Sequence, residues 1–302
     1  MRLCDTTVQA AAQHSGRTYT ADQLVEAGQA LDRLGIPLVR AGNPSVAGVE
    51  GETISRLASS LDADVVATCR ARTDEVETAL ETGADIVEVS IPVSDVRLEA
   101  TLGMSREEAF DRAEMAIRQA REGGADGHLH LQDAFRADVP SVAGAFGRFD
   151  GTIVLADTVG ARTPPFVAGF LRTLADASAD LTRAGVSFRD DLGCATANSL
   201  VAVETGIDRV DASVAGIGTG AGRAATEELI VATVTGGGDA GVATTETIPA
   251  CEDALQALGE SVDERKAVLG AGASGDESGE GTESGVDDPA AFRAYDPSTF
   301  GG

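Results

Sequence analysis

Ile86-Val87-Glu88-Val89-Ser90, Ser105-Arg106-Glu107-Glu108 and Gly127-His128-Leu129-His130-Leu131 follow one another within one stretch of the chain, and their order decides the fold. The outer two are short runs of strand character. Between them, Ser105 followed by Glu108 makes a capping box, in which each side chain satisfies the other residue's free N–H, so a helix starts there and covers Ser105–Glu122. Working outward from this strand–helix–strand unit, further strands are expected at Arg2–Val8, Pro37–Ala41, Asp64–Thr68, Thr152–Ala156, Gly185–Phe188 and Arg209–Ala212. Amphipathic helical stretches separate them at Ala21–Leu34, Glu50–Leu61, Thr73–Thr82, Pro165–Ala177, Ala195–Glu204 and Gly222–Val234. Eight strands with seven helical stretches before residue 236 fit a (β/α)8 barrel, although periodicity alone also admits a doubly wound open sheet.

After Thr235 the pattern changes. Gly236-Gly237-Gly238 is a break, and Thr244–Val262 has room for a short helix. The acidic Gly/Ser tract Gly270–Gly285 is too polar to bury a core and reads as a solvated linker. Pro289–Gly302 regains Phe292, Tyr295 and Phe300, which are expected to dock back onto the barrel. The chain therefore divides into a barrel over 1–236 and a C-terminal extension over 237–302.

Aspartate and glutamate outnumber lysine and arginine by 49 to 23, a net charge of −26, and Lys266 is the only lysine. Such a field repels phosphate backbones and anionic membrane surfaces, so nucleic acid and membrane are not expected as partners. Because the acids are spread along the chain and not gathered in one tail, they suggest adaptation to a high-salt cytoplasm. Cys4, Cys69, Cys194 and Cys251 are scattered, with no C-x-x-C pair and no leader-like segment ahead of them. That usage reads as a reduced, cytoplasmic protein whose thiols fill core space. No apolar run approaches the roughly 20 residues needed to span a bilayer.

Near the start, Asp5-Thr6-Thr7-Val8-Gln9-Ala10-Ala11-Ala12-Gln13 resembles the D-T-T-L-R-D-G-E-Q signature of the 2-isopropylmalate synthase, homocitrate synthase and HMG-CoA lyase superfamily. The resemblance continues in family order through Cys69-Arg70-Ala71, Ser94-Asp95 and Asp133-Ala134-Phe135-Arg136. Beyond these come Asp157-Thr158-Val159-Gly160 with Thr163-Pro164, then Asp191-Leu192-Gly193 with Ala197-Asn198-Ser199, and finally Gly216-Ile217-Gly218 with Gly222, Glu227 and Glu228. It implies a (β/α)8 barrel and, by family, a metal-assisted Claisen condensation of an acyl-CoA with a 2-oxo acid. It also implies a dimer, either with a second copy or as a hetero-oligomer with an active paralog. The separate C-terminal domain of the longer synthases is not expected.

The departures fall on chemistry. Gln9 stands where the family's arginine polarises a carbonyl, and Ala12 and Gln132 stand where it has glutamates. The resemblance places the metal ligands, one Asp, two His and an Asn, at Ala10, Ser187, Arg189 and Arg223. A family glutamate after the second strand is Arg40, and the His and Lys of the S-D loop are Arg97 and Thr101. The tail motif that supplies a catalytic histidine in the synthases is Asp276–Gly281 here. No cofactor is therefore expected, the family's divalent metal is expected to be lost, and the normal reaction with it.

Arg40, Arg70, Arg97, Arg136, Arg189 and Arg223 lie at or just after strand C-terminal ends, the face where barrel sites assemble. They are candidates for an anion pocket that takes a small carboxylate or an acyl-CoA; the alternative is pairing with nearby acids, for example Arg189 with Asp190 or Asp191. His128, His130 and Gln132 alternate on the fifth strand, so period two directs all three into the lumen. His128 and Gln132 are candidate ligand contacts and His130 and Asp133 candidate acid–base residues; a relocated metal site at His128-x-His130 with Asp133, or simple packing, are the alternatives. His14 reads as a solvent-side loop residue. Three functions remain open: a non-catalytic binder of a small anion, a metal-independent lyase or isomerase, and a non-catalytic subunit of an active synthase. The charge generates a first prediction. Raising KCl from 0.1 to 2 M shrinks the screening length to about 3 Å or less and is expected to raise the thermal midpoint by several degrees. A flat or falling midpoint in calorimetry would rule out the high-salt reading.

Overall fold

The computed structural model describes residues 1–13, 16–46, 48–273 and 294–302. Eight parallel strands close into a barrel: β1 (Arg2–Asp5), β2 (Leu38–Gly42), β3 (Asp64–Arg70), β4 (Ile86–Pro92), β5 (Asp126–Gln132), β6 (Ile153–Asp157), β7 (Ala184–Phe188) and β8 (Arg209–Ala212). Closure runs from Arg2 against Arg209 to Asp5 against Ala212. It excludes the open sheet, which would leave two edge strands.

Between the strands lie α1 (Thr7–Ala12), α2 (Ala21–Asp32), α3 (Glu50–Ala58), α4 (Thr73–Glu81), α5 (Asp95–Thr101), α6 (Arg106–Glu122), α7 (Val139–Arg148), α8 (Pro164–Asp176) and α9 (Ala195–Glu204). After β8 come α10 (Thr226–Thr235) and α11 (Thr247–Leu258). The expected capping box opens α6: Glu108 N–H donates to Ser105 Oγ at 3.2 Å, and Ser105 N–H to Glu108 Oε2 at 2.8 Å. Apolar faces of these helices, through residues such as Leu24, Leu57, Val76, Ile117 and Leu171, pack on the outer face of the barrel to form the main core.

Two expected boundaries are corrected. The first strand ends at Asp5, not Val8, because the Asp5 carboxylate accepts the Thr7 N–H at 2.7 Å and starts α1 there. Its other oxygen accepts from Thr226 Oγ1 at 3.0 Å, which ties the turn to α10. The last barrel helix begins at Thr226, not Gly222, because Gly216, Gly220 and Gly222 all have positive φ and turn 216–225 into a loop.

In the extension, α11 packs against α2 and α10 through Ile248, Cys251, Ala254, Leu255 and Leu258. Phe300 is buried with Tyr295 edge-on at 5.7 Å, so this end of the chain docks. Lys266 Nζ bonds the Glu228 carboxylate. Phe292, His14 and most of the acidic tract, including Asp276–Gly281, lie outside the described residues. Among the described residues, no helix is long and apolar enough to cross a membrane.

The lumen fills in layers. Cys4, Leu38, Val66 and Ile86 form an apolar floor at its N-terminal end. One step further along the strands sit four buried charges. Arg40 Nη2 lies 2.6 Å from both Glu88 and Asp211, as close charge contacts without aligned hydrogen bonds. Arg209 donates to Glu88 at 2.8 Å and to Asp211 at 3.1 Å. Gly185 makes room for it: a Cβ there would lie 3.2 Å from three carbons of the Arg209 side chain. The result is a neutral, alternating square. Removing one member leaves a buried charge without its partner, so Arg209→Met is expected to cost about 3–5 kcal/mol in chemical denaturation. A loss below about 1 kcal/mol would mean the square is hydrated.

Candidate functional site

Above the square the strand ends open into a cavity of about 360 Å³. Five of the six candidate arginines line it: Arg40, Arg70, Arg97, Arg189 and Arg223, together with His130 and Gln132. The structure does not bring the other candidates there. Arg136 donates to the Asp133 carboxylate through two bonds of 2.7 and 2.8 Å, and the Ser94 hydroxyl donates to it as well. The Asp133 N–H in turn donates to Thr158 Oγ1 at 2.8 Å. Asp133 is fully buried, in a left-handed turn at φ 62°, and lies outside the cavity lining. His128 also faces inward, but one layer too deep. It contacts Arg209 at 3.1 Å and Asp126 at 3.2 Å, below the cavity.

The lining arginines differ in how far their charge is already met. Arg40 is the roof of the ion square. Arg70 is paired with Glu75 at 2.5 Å and is largely exposed. Arg189 grips Asp191 through two contacts of 2.9 and 3.1 Å, which is the ion pairing expected as the alternative to ligand binding. Arg97 donates to Gln132 Oε1 at 2.9 Å and has no carboxylate within 4 Å among the described residues. Arg223 is the most telling. Its Nη1 donates to Ser187 Oγ at 3.3 Å, while its Nε is sealed from solvent without a partner. Burial, and after it the repulsion of Arg40, pushes this guanidinium down to about 10.

His130 Nδ1 lies 3.2 Å from Ser90 Oγ, which accepts in turn from Gln132 Nε2 at 2.8 Å. Burial lowers the His130 imidazole to about 4, so the ring is neutral near pH 7. Asp157 also lines the cavity, its carboxyl pushed up by burial and its Oδ1 without a partner. Burial pushes the Cys4 and Cys69 thiols up to about 12, so these two are not activated. Cys194 is only half-buried, unlike the other three. Reading the sequence missed Ser90 and Thr219 as lining residues. Ser90 had a signal, since it sits in register with inward-facing His130. Thr219 had only its place in a glycine-rich run.

Residues 1–253 match the family model described as HMGL-like. The chain belongs to that family. Its relatives include the probable 2-isopropylmalate synthase of Methanopyrus kandleri, 33% identical over 77% of this chain and 47% of that protein. The homocitrate synthase of the same organism is 31% identical over 98% of this chain and 76% of its own length. The chain thus spans about half the length of the first of these. Among solved structures, Bacillus subtilis HMG-CoA lyase shares the fold with a TM-score of 0.75 and 19% identity, over 87% of this chain and 95% of that one.

The four positions at which the resemblance expected metal ligands, Ala10, Ser187, Arg189 and Arg223, offer one hydroxyl and two guanidinium groups. Ala10 has no donor atom, and Arg223 already points at Ser187. A divalent cation wants oxygen or imidazole donors, so this set does not fit one.

A titration tests the His130 environment. Its folded value of about 4 lies below the unfolded imidazole's 6.5. Between those values the unfolded chain binds a proton that the folded chain does not, so His130 costs stability progressively as pH falls from 6.5 towards 4. His130→Gln is therefore expected to gain stability relative to the parent as pH drops from about 7 to about 4.5. In NMR the His130 ring is expected to stay neutral down to about pH 5, and a midpoint above about 6 would contradict the buried environment.

Proposed function

We propose that this HMGL-like barrel is a metal-independent binder of a small carboxylate anion, a divergent member that no longer runs the family's metal-dependent condensation. The single observation carrying this reading is Arg223. A guanidinium with a sealed, unpartnered Nε and no carboxylate within 4 Å among the described residues is costly to bury. An anionic ligand at the cavity-facing side of that guanidinium would offset the cost by meeting its charge. Arg97, opposite it across the mouth, also lacks a carboxylate within 4 Å among the described residues and can meet a second negative group. Gln9 and Ala10 add support, since neither an arginine nor a carboxylate stands at these two positions of α1.

A metal-independent lyase or isomerase is the weaker alternative. It would have to work with His130 and without Asp133, which Arg136 and Ser94 hold outside the cavity. Calorimetric titration separates the readings. Succinate or malate is expected to bind equally well with and without EDTA, and Arg223→Gln to weaken binding at least about tenfold, the worth of a charge-assisted hydrogen bond. Condensation of acetyl-CoA with a 2-oxo acid, dependent on a divalent cation, would overturn the proposal.

A further inference from the structure

Four side chains in the wall of the cavity form one hydrogen-bonded run. Arg97 Nε donates to Gln132 Oε1 at 2.9 Å, Gln132 Nε2 donates to Ser90 Oγ at 2.8 Å, and Ser90 Oγ lies 3.2 Å from His130 Nδ1. All four residues line the cavity. Ser90 belongs to β4, Arg97 to α5, which follows it, and His130 and Gln132 to β5. Pairing of β4 with β5 sets Ser90 in register with His130, so the run is held by the sheet and not by a loop.

The run has a direction. A guanidinium N–H can only donate, so the Gln132 amide must turn its oxygen to Arg97 and its nitrogen to Ser90. Ser90 Oγ thus receives one proton and has one of its own to give. Among the described residues that hydroxyl has no acceptor other than His130 Nδ1. Donation by Ser90 satisfies both groups. The reverse, donation by Nδ1, would bring two protons to Oγ and leave its own without a destination. The neutral imidazole carries a single N–H, and with Nδ1 accepting, that proton falls to Nε2. Nε2 has no partner among the described residues and is not among the atoms sealed from solvent, so it opens on the cavity.

We propose that His130 serves this cavity as a hydrogen-bond donor and not as a base, its Nε2–H held by Ser90, Gln132 and Arg97 towards an acceptor oxygen of the bound anion. This rests on the reading that the cavity takes a carboxylate, and it adds to the arginines a specificity-determining group without charge. The lone pair that a base would turn to the ligand is taken up by the proton. Gln132 is the positioning residue that decides the direction. A glutamate there would accept from both Arg97 and Ser90, draw the Ser90 proton away from the ring and move the ring proton to Nδ1. The sequence resemblance expects a glutamate at this position, so the amide of this chain reverses the polarity of the run.

Long-range 1H–15N NMR on the full chain reads the tautomer at about pH 8, where the ring is neutral. The His130 signals are assigned by their loss in His130→Gln. The proton is expected on Nε2 in the unmodified chain and on Nδ1 in Gln132→Glu. A proton on Nδ1 in the unmodified chain, or an unchanged tautomer in Gln132→Glu, would overturn the proposal. Should Gln132→Glu not fold, succinate tests the donor separately. Its binding is expected to shift the Nε2 signal. In calorimetry His130→Leu is expected to weaken succinate at least about fivefold more than His130→Gln, whose amide N–H can stand where Nε2 does. Equal weakening in the two variants, or an Nε2 signal that succinate leaves unmoved, would overturn the proposal and leave the carboxylate reading intact. Absence of succinate binding to the unmodified chain would sink that reading, and this one with it.

Discussion

The constraint on which the rest depends is closure of the barrel. Eight strands joined edge to edge force every inward side chain into a narrow shared space, away from bulk water. Charge placed there must balance locally, because desolvating an unpaired ion costs several kcal/mol. This chain places two arginines and two acids in one layer and alternates them, Arg40 and Arg209 against Glu88 and Asp211. Each comes from a strand that also supplies an apolar residue to the floor or a neighbour to it, so the square is set by strand register and not by loop placement.

A neutral square below has a consequence above. Arg40 roofs it and brings no free charge into the cavity, while Glu75 and Asp191 meet Arg70 and Arg189. The positive character of the mouth is thereby concentrated on Arg97, after β4, and Arg223, after β8. Those strands stand opposite each other in an eight-stranded barrel, with Ser90 on β4 and His130 and Gln132 on β5 in the wall of the cavity. The mouth thus presents two guanidinium groups at its edges and the hydrogen-bonding groups of Ser90, His130 and Gln132 in its wall, with the Asp157 carboxyl also in the lining.

Much of this was legible in the sequence, and the limits are physical. Alternation of strand and helix patterns, with the Ser105 box as anchor, specified the barrel, because each pattern follows from local geometry. The inward direction of His128, His130 and Gln132 also followed from period two. Depth did not. Residues two apart on a strand differ by about 6.6 Å along it, which separates His128 in the charged layer from His130 in the cavity. Nor does local sequence reveal that Glu88 and Asp211 converge on Arg40, since their meeting depends on closure. The early end of β1 was hidden for a smaller reason: Asp5 gives one oxygen to the Thr7 N–H and the other to Thr226, a contact that exists only once α10 is in place.

The choice of arginine over lysine inside a chain with a single lysine also has a structural logic. A metal ion needs several oxygen or imidazole donors converging at fixed distance, which Ala10, Ser187, Arg189 and Arg223 do not offer. A guanidinium needs only room for a planar fork and brings its own directional donors. It is weakly hydrated, so it tolerates a sealed site such as that of Arg223 better than an ammonium would. Its cost is size, which the chain meets by deleting side chains around it: Gly185 opens space for Arg209, and Gly218 and Gly220 open space for Arg223 and Arg189. The glycines of the β8 loop and the arginines of the lumen are thus one feature, and a substitution at either would be felt at the other.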